Sequence, residues 1–369
     1  MKILITGSKG FIGKNLVSEL SRFDENTLYL YDLDSTIDEL EKYTRDCDFV
    51  FHLAGVNRPK TQGQFSSGNI DFTSFLISKL TENKNFCPIM FSSSIQAELE
   101  NPYGKSKKKA EELISLYGET TGSKVMIYRF PNVFGKWCKP NYNSVVATFS
   151  YNISHNLDIT INDRSTMLDL VYIDDVIREL LNALHDDEFR HGKYCYAKPE
   201  YRCSLGELAN KLVNFRENRN RMLIPSLPDD LTKKLYATYL SYISYNDLAI
   251  DLNMHIDHRG SFTEIFKSNG FGQISVNISH PGIIKGNHWH HTKNEKFLVV
   301  YGQGLIRIRD LNKEYIAEFF VNGENLRIID IPPGATHNIE NVGDTDLVTI
   351  IWASEEFNPE FPDTNYLEV

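Results

Sequence analysis

The stretch Lys2-Ile3-Leu4-Ile5-Thr6-Gly7-Ser8-Lys9-Gly10-Phe11-Ile12-Gly13 decides how the first half of the chain folds. A short apolar run ends in three glycines spaced by three, and Lys14–Arg22 continues with helical spacing. Strand, glycine turn and helix in that order are the context a dinucleotide site requires. Gly7 permits the tight turn, Gly10 lets a pyrophosphate approach the backbone, and Gly13 allows the helix to pack closely on the strand. The helix N-terminus then presents unpaired N–H groups to phosphate.

Outward from that turn, Thr27–Tyr31, Asp48–Ala54, Pro88–Ser92 and Lys124–Phe130 read as further buried strands, with helical spacing in stretches such as Ile70–Asn83. Strands alternating with helices predict a Rossmann-type α/β fold, a doubly wound parallel sheet covered on both faces. After Tyr245 the pattern changes. Phe262–Phe266, Gln273–Ile278, Lys296–Tyr301, Leu305–Arg309, Tyr315–Val321, Leu326–Ile331 and Leu347–Trp352 are strand-like runs without intervening helices, which predicts an all-β barrel or sandwich. Leu205–Tyr245 between them is helix-rich, so the expected domains are 1–245 and 246–369.

A chain of 369 residues exceeds the usual single core. Its net charge of −10 without a basic run argues against nucleic acid or an anionic membrane as partner. No apolar run is long enough to span a bilayer, and Met1–Thr6 is too short to be a signal peptide. Five cysteines, Cys47, Cys87, Cys138, Cys195 and Cys203, lack metal-ligand spacing, which suits reduced thiols in a cytoplasmic protein.

Asp32 ends the second strand, where an acidic residue binds ribose hydroxyls and favours NAD. Lys9 points the other way, toward a 2′-phosphate. Tyr103 and Lys107 are four apart and share one helix face. A phenol can protonate the alkoxide left by hydride transfer to a ketone, a neighbouring ammonium would lower its pKa, and Ser94 could orient the carbonyl.

These residues sit in the words Thr6-Gly7-Ser8-Lys9-Gly10-Phe11-Ile12-Gly13, His52-Leu53-Ala54-Gly55, Phe91-Ser92-Ser93-Ser94, Tyr103-Gly104-Lys105-Ser106-Lys107 and Arg129-Phe130-Pro131-Asn132-Val133-Phe134-Gly135. In order and spacing they resemble the extended short-chain dehydrogenase/reductase family over about residues 1–245. The resemblance implies Tyr103 as proton donor, Lys107 as its partner and Ser94 as the carbonyl-orienting hydroxyl. It implies that Gly7, Lys9, Gly10, Phe11, Ile12, Gly13, Asp32, Leu53, Ala54, Gly55, Tyr103 and Lys107 hold the cofactor, and that the substrate is a nucleotide sugar. Two departures stand out. Gly55 replaces a common alanine, and Gln96–Asn101 replaces the usual Val-Tyr-Gly turn, giving the loop before Tyr103 scope for its own substrate contacts.

The second half carries Gly282-x5-His288-x-His290-x4-Glu295-x6-Gly302 and later His337; five of the eleven histidines lie between His280 and His337. Residues two apart on a strand face the same side, so His288, His290, Glu295 and His337 can converge in a barrel. Three imidazoles and a carboxylate suit Zn²⁺. His291 is expected in solvent. The spacing resembles the cupin superfamily, a jelly-roll barrel, with the second motif matched in part as Pro332-x-Gly334-x2-His337-x3-Asn341. Asp257-x-Arg259-Gly260-Ser261-Phe262-x-Glu264 and Lys285-Gly286-x-His288 also look like deoxysugar-processing cupins, nucleotide-sugar epimerases that use a histidine as base. Metal ligation and proton abstraction therefore compete for His288, with Lys285 and Tyr301 as further candidates for the base.

A 4-keto sugar nucleotide joins the halves, because its ketone both acidifies the C3 proton and accepts hydride. Over essentially the whole chain the combination resembles the bifunctional capsular-polysaccharide enzymes of UDP-N-acetyl-L-fucosamine synthesis. That resemblance implies C3 epimerisation of a UDP-4-keto-6-deoxy-2-acetamido sugar, then C4 reduction to a UDP-6-deoxytalosamine-type product. It also implies NADPH rather than NADH, Zn²⁺ in the barrel and a homodimer. Two rival readings are a redox-neutral epimerase or ketoisomerase, and a reductase whose barrel is a non-catalytic metal-binding dimerisation unit.

Overall fold

The computed structural model describes residues 1–57, 66–221, 223–251, 255–257, 260–262, 267–268, 272–355 and 360–369. Arg259, Glu264 and most of the strand expected over Phe262–Phe266 lie outside the described residues. The chain forms two compact units, one of Met1–Val145 with Met167–Cys203, the other of Val146–Thr166 with Ser204–Val369.

The first unit is built on β1 (Lys2–Thr6), α1 (Phe11–Leu20), β2 (Thr27–Tyr31), α2 (Ile37–Asp46), β3 (Phe49–His52), α3 (Phe72–Glu82), β4 (Ile89–Ser94), α4 (Pro102–Thr121) and β5 (Val125–Phe130). The five strands pair in parallel in the order β2-β1-β3-β4-β5, and Tyr194–Cys195 and Arg190–His191 extend the sheet beyond β5. Ile3, Leu4, Ile5, Val50, Phe51, Ile89 and Met90 are buried, which is why these strands read as continuous apolar runs and not as alternating ones. The direction of winding reverses between β1 and β3. Ligands of such sheets bind outside the carboxyl ends of the strands at that point, where Gly7 and Leu53–Gly55 lie.

The second unit contains the helices α5 (Leu205–Asn220) and α6 (Asp230–Leu240) and two five-stranded antiparallel sheets. Its strands are β6 (Gln273–Ser279), β7 (Ile284–Trp289), β8 (Glu295–Tyr301), β9 (Gln303–Asp310), β10 (Ile316–Asn322), β11 (Arg327–Ile331), β12 (Ala335–Asn341), β13 (Leu347–Ala353) and β14 (Asn365–Tyr366). One sheet runs Ala249–Asp251, β11, β8, β13, β6; the other runs β10, β9, β12, β7, β14. This is a jelly-roll arrangement, with Leu298, Ile306, Ile329, Ile339 and Trp352 in its core. Arg219 fixes helix α5 to the barrel sheet. The Arg219 guanidinium reaches the fully buried Asp330 at 2.7 Å and the carbonyl of Leu248 at 3.0 Å, and Asp330 in turn pairs with the buried Lys296.

Candidate functional site

The glycine turn is made by three segments closing on one another. Gly7 adopts a left-handed φ of 71°, its N–H donates to Tyr31 O at 2.8 Å, and a Cβ there would lie 2.7 Å from Ala54 N. A Cβ on Gly13 would meet Gly7 O at 2.2 Å, so only glycine lets α1 sit this close to the turn. Gly10 caps α1 with no side-chain hydrogen bond and the first turn has no acidic residue, leaving the helix amides facing a prospective phosphate. Phe11 and Ile12 open the helix half-buried, and Leu53 and Ala54 are half-buried beside exposed Gly55. These features fit a dinucleotide.

Asp32 spends its carboxylate within the turn, accepting the N–H of Lys9 at 2.7 Å and of Leu33 at 2.8 Å. The Lys9 ammonium pairs with exposed Asp34, a residue the sequence reading passed over although Asp32-x-Asp34 stands after the strand.

Ser94 ends β4, Tyr103 lies in the first turn of α4, and the Ser94 hydroxyl hydrogen-bonds the phenol. Burial pushes the Tyr103 phenol up to about 12, with Ser94 opposing and Tyr142 adding to the rise. The expected lowering of that phenol by Lys107 is not what the structure holds. The Lys107 ammonium donates to Ser92 O at 2.8 Å and lies 5.1 Å from the Phe91 ring centroid, and burial lowers its own pKa to about 8, against the pull of Glu111. Gly55 has its reason here: a Cβ would come 3.0 Å from Lys107 Nζ and from Asn69 Oδ1. The loop before Tyr103 is anchored at both ends, with Glu98 accepting from Arg129 Nη1 at 2.6 Å and Asn101 capping α4 through Gly104 N–H at 2.8 Å.

Two supporting groups escaped the sequence reading. Glu111, one turn beyond Lys107, is buried and takes Arg129 in a bidentate pair at 2.9 and 2.7 Å. Asn69 is one end of a buried relay whose direction follows from its donors. Thr73 Oγ1 donates to Asn69 O at 2.6 Å, so His52 Nε2–H must donate to Thr73, at 2.8 Å. His52 Nδ1 then accepts from Thr6 Oγ1, also at 2.8 Å. Burial first, and Lys107 second, depress the His52 pKa to about 3, keeping it neutral. The Asn69 amide donates to Ser106 Oγ at 2.9 Å, and that hydroxyl donates to Tyr103 O at 2.8 Å. Thr6, at the glycine turn, and Tyr103 are thus tied to one polar thread.

In the second unit His288, His290, Glu295 and His337 converge, their ligand atoms all within 4.8 Å of one another. His288 and His337 are register partners across β7 and β12, with ring centroids 4.6 Å apart, and Glu295 opens β8 on the other sheet. The Glu295 Oε2 atom lies 3.3 Å from His290 Nε2 and 3.2 Å from His337 Nε2. The second approach is close in distance only: neither ring nitrogen of the fully buried His337 has a hydrogen-bond partner. Orphaned imidazole nitrogens beside a carboxylate fit a divalent cation. Burial works to raise the Glu295 carboxyl, but His290 and His337 hold it well below the usual range. Burial, then His337 and His290, lower the His288 pKa to about 4, so that ring is a neutral acceptor. Gly334 of the second motif donates its N–H to His290 O at 2.9 Å. His291, expected in solvent, is half-buried against the Trp289 ring, centroids 4.5 Å apart. Lys285 bonds Asn277 and Ile278 O in the open, and Tyr301 is exposed, so neither joins the cluster.

Among the described residues no helix is long and apolar enough to cross a membrane.

The NAD dependent epimerase/dehydratase family matches residues 3–195, and the polysaccharide biosynthesis C-terminal domain matches residues 255–365. A Pseudomonas aeruginosa protein described as UDP-2-acetamido-2,6-beta-L-arabino-hexul-4-ose reductase is 42% identical over 364 residues, 99% of this chain and 98% of its own length. The crystal structure of capsular polysaccharide assembling protein CapF from Staphylococcus aureus is 48% identical with a TM-score of 0.69, covering 100% of both chains. The UDP-glucuronic acid 4-epimerase of Bacillus cereus, solved with NAD, is 20% identical with a TM-score of 0.56 over 66% of this chain and 98% of its own; that likeness is one of fold.

Proposed function

The chain belongs to the NAD dependent epimerase/dehydratase family, and from that premise we propose that it is a bifunctional nucleotide-sugar enzyme of capsule precursor synthesis. Its cupin half, 246–369, epimerises C3 of a UDP-4-keto-6-deoxy-2-acetamido sugar. Its reductase half, 1–245, then reduces the C4 ketone to a UDP-6-deoxytalosamine-type product. One observation carries the reading: a reductase of a UDP-hexulos-4-ose is 42% identical over 99% of the chain, so the likeness takes in both halves together.

The chemistry follows from the side chains. Ser94 orients the C4 carbonyl, and Tyr103 gives its proton to the carbonyl oxygen as C4 becomes an alcohol. A phenol held near 12 is fully protonated at neutral pH, the state a donor needs. Lys107 places a positive charge on the cofactor side of Tyr103. The nicotinamide cofactor, when bound, supplies the hydride. We take NADPH over NADH: the Asp32 oxygens already accept two backbone amides, and Lys9 can exchange the exposed Asp34 for a 2′-phosphate. Lys9→Ala should then raise KM for NADPH about tenfold, the equivalent of one charged hydrogen bond, and leave that for NADH unchanged.

In the barrel the C3 proton is acidified by the adjacent ketone. His288, His290, Glu295 and His337 would hold Zn²⁺, which supplies positive charge against a developing enolate. His288, neutral and half-buried, is suited either to complete that ligand set or to take the proton. The protein acts as a homodimer on this reading.

The test is to incubate the 4-keto sugar nucleotide in D₂O with and without NADPH. Deuterium should enter C3 without coenzyme, and coenzyme should be oxidised stoichiometrically when present. Label uptake without oxidation would mean redox-neutral isomerisation, and neither signal would overturn the reading.

A further inference from the structure

The cluster of histidines in the barrel is braced by a segment far along the chain that no motif marks. Residues 362–368 run along β7 as a strap. Tyr366 and Asn365 pair with His288 and Trp289, Leu367 N–H donates to Asn287 O at 2.8 Å, and Arg309 donates to Glu368 O at 2.8 Å. The Thr336 hydroxyl, next to His337, donates to Leu367 O. Buried Lys293 reaches Thr364 Oγ1 at 3.1 Å and Pro362 O at 3.3 Å.

The contacts concentrate at Asp363. Its Oδ1 accepts the N–H of His291 at 2.8 Å, and its Oδ2 accepts the N–H groups of Thr292 and Lys293, both at 2.9 Å. These are three of the four residues between His290 and Glu295. The backbone oxygen of Asp363 lies 2.5 Å from His290 Nδ1. A carbonyl oxygen can only accept, so His290 carries a proton on Nδ1, which leaves Nε2 as the ring atom turned toward the Glu295 carboxylate. That 3.3 Å approach is favourable only with a proton or a cation between the two atoms. Asp363 holds this position at a φ of 30°, a conformation a non-glycine residue adopts only when its surroundings impose it.

We infer that Asp363 is the positioning residue of this cluster: its carbonyl sets the tautomer of His290, and its carboxylate sets the turn that spaces His290 from Glu295. The inference rests on the cluster being the working site of the barrel, as proposed above.

The experiment uses the full chain, metal-free and zinc-loaded, and compares Asp363→Ala with the parent. Histidine tautomers are read by long-range ¹H–¹⁵N correlation in the metal-free protein, and zinc affinity by chelator competition. The parent His290 should be an Nδ1–H tautomer. Asp363→Ala keeps the backbone carbonyl but loses the carboxylate bonds that hold it against His290, so both tautomers should appear, and zinc affinity should fall roughly ten- to hundredfold, the usual effect of losing a partner behind the ligands. Arg309→Gln, which loosens the strap only at Glu368, should move neither readout. An unchanged tautomer with zinc affinity within about twofold of the parent would overturn the inference, as would an equal loss in Arg309→Gln. Should Asp363→Ala not fold, Asp363→Asn, which keeps an acceptor oxygen, carries the same test: a smaller loss of affinity is expected, and no loss overturns. If the parent binds no zinc, the metal assignment fails by itself and the tautomer of His290 still decides.

Discussion

Lys107 is nearly out of solvent, and its charge is kept by only a few groups. Burial lowers its pKa to about 8, and Glu111, one helical turn on, pulls it back up. The Tyr103 phenol, near 12, stays protonated throughout this range, so it cannot produce a limb there. Reduction should therefore decline as pH rises through about 8, the pH at which the ammonium proposed to steady the cofactor loses its proton. In Glu111→Gln the partner that favours the charged form is gone, so the limb should move toward acid while the plateau below it survives. A pH profile of kcat/KM for coenzyme oxidation measures both, and a limb that stays in place in Glu111→Gln would remove Glu111 from control of Lys107. Tyr103 and Lys107 are legible from their spacing, but Glu111 and Asn69 are not. A buried helix carboxylate pairing with Arg129 on a strand leaves no periodic trace in sequence.

Among the elements, β1, its glycine turn and α1 are legible because each obeys a local rule: a continuous apolar run, a left-handed glycine, an open helix start. Gly13→Ala tests that join. Its Cβ would sit 2.2 Å from Gly7 O and 2.8 Å from Ser8 O, both backbone atoms that cannot step aside. A loss of about 1–3 kcal/mol is expected from such overpacking, together with weaker coenzyme binding, measurable by thermal unfolding and by fluorescence titration. Strands β7 and β12 are harder to see. In β12 Thr336, His337, Asn338 and Asn341 are buried, so a strand packed on both sides reads as polar and no apolar run announces it. Polarity is the cost of carrying the cluster, and the elements that hold the chemistry are thus the least visible by hydrophobic pattern. Helix α5 is legible as a helix, whereas its attachment to the barrel through Arg219, Asp330 and Lys296 is not. Arg219→Met would leave Asp330 in the core with half its positive partners. Breaking a buried ion network of this kind costs roughly 3–5 kcal/mol, so the barrel unit should unfold at lower denaturant than it does in the parent.

At the scale of the whole molecule, the two sites draw on different stretches of chain. Ser94, Tyr103 and Lys107 belong to the first compact unit, and His288, His290, Glu295 and His337 to the second. The two sets share no residue, so the two reactions should be separable by single substitutions. Tyr103→Phe removes the proposed proton donor and should abolish net reduction while C3 exchange continues. His290→Ala removes a proposed ligand, should lower the zinc content found by elemental analysis, and should stop C3 exchange with the reductase intact. The epimerised ketone is a diffusible molecule, and fusion raises only its local concentration at the second site. Equal amounts of the two variants in one tube should therefore form the fully reduced product that neither forms alone, more slowly than the parent and with a rate rising with protein concentration. Product analysis by NMR reads the outcome. If the mixture stays as inactive as its parts, the intermediate never leaves the chain that makes it, and the two sites work as one.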